Sequence, residues 1–242
     1  MPDKFNSESA PQQEEASQKF AEEKISKIKY WDEFAKKHIP EMRLLFRGGK
    51  LWEKEGWRKV VEHSLPAAAA TEILSDMLEL PEKEELIRTA ICHDWDKHLE
   101  KKPDDFSEED RKKALSFLEK IELNSFILSA TKTDFPERVL DIYKRGEDVP
   151  VQQLLMFYID AITAGGDTSG KIVPFEERLN EVRPRYPHLP ENYWKNVRTA
   201  LNLAQDKIYG LLKEKGIKIE KAEDVPALIT NSIEAKYGAN KN

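Results

Sequence analysis

Leu65, Ala69, Ile73 and Met77 lie four residues apart with Leu80 three further on, a spacing that lines all five along one stripe of an α-helix. The same period returns in Leu86, Ile87, Ala90 and Ile91, and again in Ala114, Leu115, Leu118 and Ile121. No stretch alternates apolar and polar residues as a half-buried strand does, so the expected fold class is all-α. Pro66 is tolerated only in a first helical turn, which sets the start of the Leu65 helix at or just after His63.

Further helices are expected from Phe20 to about His38-Ile39-Pro40, from about Glu82 into His93-Asp94, and from Ser107, where Asp110 completes a capping-box-like start. Others fall at about 124–131 and 136–145, after Pro150 up to Gly165-Gly166, and at about 191–215 and 223–237. Residues 1–18 are Ser-, Gln-, Glu- and Pro-rich and carry too little apolar surface to offset ordering, so a flexible tail is expected there. Residues 19–166 then form a helical domain, and residues 167–242 a C-terminal helical extension packed on it. GGDTSGK (165–171) has the wrong spacing for a phosphate loop and reads as a helix stop and turn. RPRYPHLP (183–190), with Arg183, Arg185 and His188, reads as a connecting loop.

Charge and cysteine content exclude several classes. A net charge of −6 gives no positive field to gather a nucleic-acid backbone, so a nucleic-acid polymer is disfavoured as partner. The single cysteine, Cys92, cannot form an internal disulfide and reads as a small buried apolar side chain. No run has the length and apolarity of a signal peptide or a membrane span, so a cytoplasmic protein with no membrane partner is expected. Oligomeric state is not encoded legibly, and a homodimer stays open.

The polar residues that sit where apolar ones are expected carry the chemistry. In ICHDWDKH (91–98), His93 and Asp94 are about 100° apart around a helix and can share one ion near its end. Lys97 lies one turn on, beside them, and an ammonium next to a metal ion suits a phosphate oxygen. His63 opens an apolar segment in VVEHSLPAA. Asp160 lies inside LLMFYIDAITA, where an unpaired carboxylate would cost several kcal/mol, on the order of a broken buried ion pair. A shared cation explains both. The competing explanation makes His63 a helix cap, His93 a satisfied core imidazole and Asp160 a salt-bridge partner, and it needs a separate accident at each position. Mixed imidazole and carboxylate ligation suits one divalent ion, Mn, Fe, Co, Ni, Zn or Mg.

This order of an isolated His, a His-Asp pair and a later lone Asp resembles the HD-domain superfamily of metal-dependent phosphohydrolases, over roughly residues 45–165. VVEHSLPAA resembles the first ligand helix of its nucleotidases, and HDWDK resembles the HD-x-x-K form of other branches. The resemblance implies an HD helical bundle with the metal on His63, His93, Asp94 and Asp160, and Lys97 near substrate phosphate. His98 is the only other histidine between Asp94 and Asp160. A mononuclear centre is therefore expected, and Trp95-Asp96-Lys97 lacks the Glu-Asp pair of the alarmone hydrolases.

The expected activity is hydrolysis of a phosphomonoester of a small phosphorylated metabolite, most simply a nucleotide. In it a water polarised by the ion attacks phosphorus, Asp94 orients or deprotonates that water, and Lys97 stabilises the phosphoryl oxygens. His98 and Arg58 are candidate substrate contacts, Arg43 and Arg47 weaker ones, and Glu62 is a candidate support for the ligand His63. The alternative is a non-catalytic metal-containing module that binds a phosphorylated ligand or a protein partner.

Overall fold

The computed structural model describes residues 56–94, 107–109, 112, 125–164 and 171–237, with side chains of the first stretch from His63 onward. The described residues are helical, with no strand. In chain order they form α1 (Gly56–Leu78), α2 (Lys83–Cys92), α3 (Ser125–Leu128) with a 3-10 turn Ser129–Thr131, and α4 (Phe135–Lys144). There follow α5 (Val151–Ile162), α6 (Phe175–Val182) with a 3-10 turn Arg183–Arg185, α7 (Glu191–Glu214), a 3-10 turn Ala222–Asp224 and α8 (Val225–Tyr237).

α1 starts well before His63, and Pro66 lies inside it, against the expectation that this proline marks a first turn. Pro66 has no N–H, so the carbonyl of Glu62 lacks its usual partner four residues on, a defect of about 3 kcal/mol. What offsets it is packing. Ala67, Ala68, Ala69 and Ala70 are fully buried, and alanine gives up no side-chain entropy on entering a helix. Their small side chains let α2 close against α1 through a short turn, and the two form the most extensive helix pair among the described residues.

α5 is apolar almost all round, with Leu154, Leu155, Met156, Phe157, Tyr158, Ile159 and Ile162 buried, which is the pattern of a helix enclosed on every side. It touches α1, α2, α3, α6 and α7. Two polar anchors fix it: Tyr158 donates its hydroxyl to Gln205 Oε1 on α7 at 3.0 Å, and Gln153 Nε2 donates to the Phe126 carbonyl at 2.7 Å. α5 stops at Ile162, short of Gly165-Gly166, which lie outside the described residues. Thr163 turns extended and pairs with Ile172 in an isolated antiparallel bridge, with Ala164 N–H donating to the Lys171 carbonyl at 2.9 Å.

α7 presents Trp194, Val197, Ala200, Leu201, Ala204, Ile208 and Leu212 to α4 and α5, while α8 lays Val225, Ile229 and Ile233 against the rest. One continuous hydrophobic cluster joins α1, α2, α4, α5, α7 and α8, so the C-terminal segment shares the core of the helices that precede it. α6 precedes the connector expected at 183–190, and the 3-10 turn Arg183–Arg185 replaces the first part of that connector. There Arg183 pairs with Glu191 and Arg185 with Glu181.

Candidate metal centre

Three helices deliver the centre. His63 sits about two turns into α1, where the missing Pro66 N–H loosens the backbone ladder beside it. His93 is the C-cap of α2, still helical at φ −60° and ψ −30°, and Asp94 follows at once. Asp160 projects from the last turn of α5.

Their donor atoms converge. His63 Nε2 lies 3.0 Å from His93 Nε2 and 3.1 Å from Asp160 Oδ1, and His93 Nε2 lies 3.3 Å from the same carboxylate oxygen. Asp94 stands slightly further out, its Oδ1 3.6 Å from His93 Nε2 and its Oδ2 3.8 Å from His63 Nε2. Donors bound at about 2.0–2.1 Å to one ion are separated by about 2.8–3.0 Å along octahedral edges and about 3.3–3.4 Å along tetrahedral ones. The group His63, His93 and Asp160 fits that spacing and could hold a metal ion.

Protonation supports the fit. His93 Nδ1 lies 2.7 Å from the carbonyl of Ala90, an acceptor only, so this nitrogen carries the proton and Nε2 of the neutral ring is a bare lone pair. That lone pair faces His63 Nε2 and a carboxylate oxygen. One proton on His63 Nε2 can answer only part of this electron-rich cluster, whereas a cation answers all of it. His63 Nδ1 is buried with no partner among the described residues.

Burial by itself would push the Asp160 carboxyl up, but its contacts with the His63 and His93 imidazoles hold it well below the usual carboxylate range. The imidazoles are closed off, with 6% and 0% of their side-chain surface exposed, while Asp160 keeps 36%. The centre is thus open on the α5 side.

Lys97, His98, Arg43 and Arg47 lie outside the described residues, as do the side chains of Arg58 and Glu62. The sequence reading passed over Tyr193, in the first turn of α7. Burial pushes its phenol up, and the negative charges of Glu137, Tyr186 and Asp160 add to the effect. Comparison with protein-family models, with curated proteins and with solved structures finds no match for this chain.

Proposed function

We propose that this chain is a metal-dependent phosphohydrolase of the HD type, cleaving a phosphomonoester of a small metabolite, with a nucleotide the favoured class. The observation that carries the reading is the meeting of His63 Nε2, His93 Nε2 and Asp160 Oδ1 from three helices at 3.0–3.3 Å. The HD-type sequence pattern supplies the reaction class. A divalent ion held there, Mn, Fe, Co, Ni, Zn or Mg, supplies Lewis acidity that activates water near neutral pH and neutralises charge on the phosphoryl group.

The side chains do the rest. His93 presents its lone pair without reorganising, because Ala90 has already fixed the tautomer. Asp94, at 3.6–3.8 Å from both imidazole nitrogens, is placed to complete the donor set or to take the proton of the attacking water. Asp160 keeps 36% of its side chain exposed, and an ester would approach from that side. Lys97 is assigned to the phosphoryl oxygens from its place in the HDWDK pattern alone. In the reaction the water oxygen bonds to phosphorus, the ester P–O bond breaks, and the departing oxygen takes up a proton.

The test is phosphate release from a panel of nucleoside monophosphates after chelation and reloading with Mn, Co, Ni or Mg. The expected result is turnover that Asp94→Ala lowers by about 10²-fold or more while circular dichroism is unchanged. Ester binding without turnover by any metal-loaded form would instead favour the non-catalytic module.

A further inference from the structure

The two carboxylates of the centre meet the imidazoles in different ways. Asp160 sends a single oxygen to both, its Oδ1 lying 3.1 Å from His63 Nε2 and 3.3 Å from His93 Nε2. Asp94 divides its oxygens between them, with Oδ1 3.6 Å from His93 Nε2 and Oδ2 3.8 Å from His63 Nε2. One oxygen close to both nitrogens is what a ligand to a shared ion presents. Both Asp94 spacings exceed the octahedral and the tetrahedral edge alike.

The end of α2 explains the difference. The backbone is still helical at His93, with φ −60° and ψ −30°, so the side chains of His93 and Asp94 leave the axis about 100° apart. The His93 ring is fixed by its Nδ1 bond to the Ala90 carbonyl, and its Nε2 faces His63 Nε2 at 3.0 Å. Asp94 is carried off that line by the helical turn, and with 12% of its side chain exposed it has little space in which to swing. Asp160 arrives from α5 and approaches the same nitrogens free of that constraint.

We propose that the ion is held by His63, His93 and Asp160 alone, and that Asp94 stands just outside its ligand shell as the hydrogen-bond acceptor for a ligand in a neighbouring open position. This rests on the metal-centre reading above and narrows it, since the HD-type pattern counts Asp94 among the ligands. It also sets a preference among ligands. A carboxylate beside an open position accepts from water, or from a phosphate oxygen that carries a proton, and repels an anion that has no proton to give.

The experiment has two arms, both on the full-length protein. In a crystal structure of the Mn-loaded wild type, Mn should lie on His63, His93 and Asp160 with both Asp94 oxygens beyond about 3 Å. An Asp94 oxygen at about 2.0–2.2 Å from Mn would overturn the proposal and make Asp94 a ligand. Azide, an anion without a proton, is then titrated into the Co-loaded protein and followed by visible absorption. Asp94→Asn should bind it about tenfold more tightly than the wild type, because the repelling charge is gone. Asp76→Asn removes a carboxylate about 20 Å or more away along α1 and should leave azide affinity unchanged. Equal azide affinity in Asp94→Asn and the wild type, or an equal gain in both variants, would overturn the placement of Asp94 beside an open position. Wild-type protein that takes up neither Mn nor Co would refute the metal reading itself.

Discussion

His93 donates its Nδ1 proton to the carbonyl of Ala90 at 2.7 Å, three residues back on its own helix. The last carbonyls of a helix have no N–H to receive, and here one of them is used to lock an imidazole. The lock decides what the other nitrogen can do: Nε2 becomes a fixed acceptor aimed at His63 and Asp160. The end of α2 thereby converts a general property of helix termini into a ligand geometry.

Asp160→Asn should test the shared-cation explanation with little change of shape. The amide keeps one oxygen near His63 Nε2 but removes the charge, and Mn affinity measured by calorimetry should fall by about 10–100-fold or more. Helicity should persist, because the neighbours of Asp160 along α5 are buried apolar side chains that the change leaves in place. An Mn affinity equal to that of the wild type would show that the carboxylate is a hydrogen-bond acceptor for His63 and not a metal ligand.

The C-terminal helix is tied to α1 by charge. Lys236 reaches Asp76 Oδ2 at 2.9 Å and Glu72 Oε1 at 3.3 Å, Lys83 reaches Asp76 Oδ1 at 2.8 Å, and the Tyr237 hydroxyl donates to Glu72. Burial would raise the Asp76 carboxyl, but the bonds and charges of Lys83 and Lys236 hold it below its ordinary value. A depressed folded-state pKa stabilises above the unfolded value, about 3.9, and that contribution is lost as pH falls through the lower folded value. Urea unfolding of the wild type and Asp76→Asn should therefore differ at pH 7 and converge well below pH 3.9. The carboxylate is 40% exposed, so the pH 7 difference should stay at or below about 1 kcal/mol and shrink in high salt. A difference that persists undiminished into acid would assign it to something other than these ion pairs.

Helix periodicity carried the fold far. The stretches expected at about 124–131, 136–145 and 191–215 correspond to 125–131, 135–144 and 191–214, since long apolar stripes survive any tertiary context. α6 escaped because its apolar positions thin out to Phe175, Leu179 and Val182 among charged residues. The start of α1 was misplaced because Pro66 obeys local sterics in isolation, and the sequence does not display the four buried alanines' packing as a compensating energy. In the centre, His63, His93 and Asp160 were legible as polar groups stranded in apolar surroundings, although 30 and 97 residues separate them from His63.

Three helices end in one and the same way, and one of the three breaks the residue rule. After α4, Gly146 N–H donates to the Tyr143 carbonyl and Glu147 N–H to Ile142; after α7, Gly216 donates to Lys213 and Ile217 to Leu212. After α1, Glu79 donates to Asp76 and Leu80 to Ser75 in the same paired pattern. The pivot is left-handed each time, with φ 72°, 75° and 55°, but at the third position it is Glu79. A side chain there strains the backbone, and only its ion pair with Lys215 speaks for it. Glu79→Ala loses the pair and keeps the strain; Glu79→Gly loses both. The glycine variant should therefore melt about 2–4 °C above the alanine variant, and at or above the wild type. Equal melting temperatures for the two variants would mean that the turn after α1 relaxes out of the left-handed region, and that the Schellman-type bonds of Glu79 and Leu80 do not constrain it.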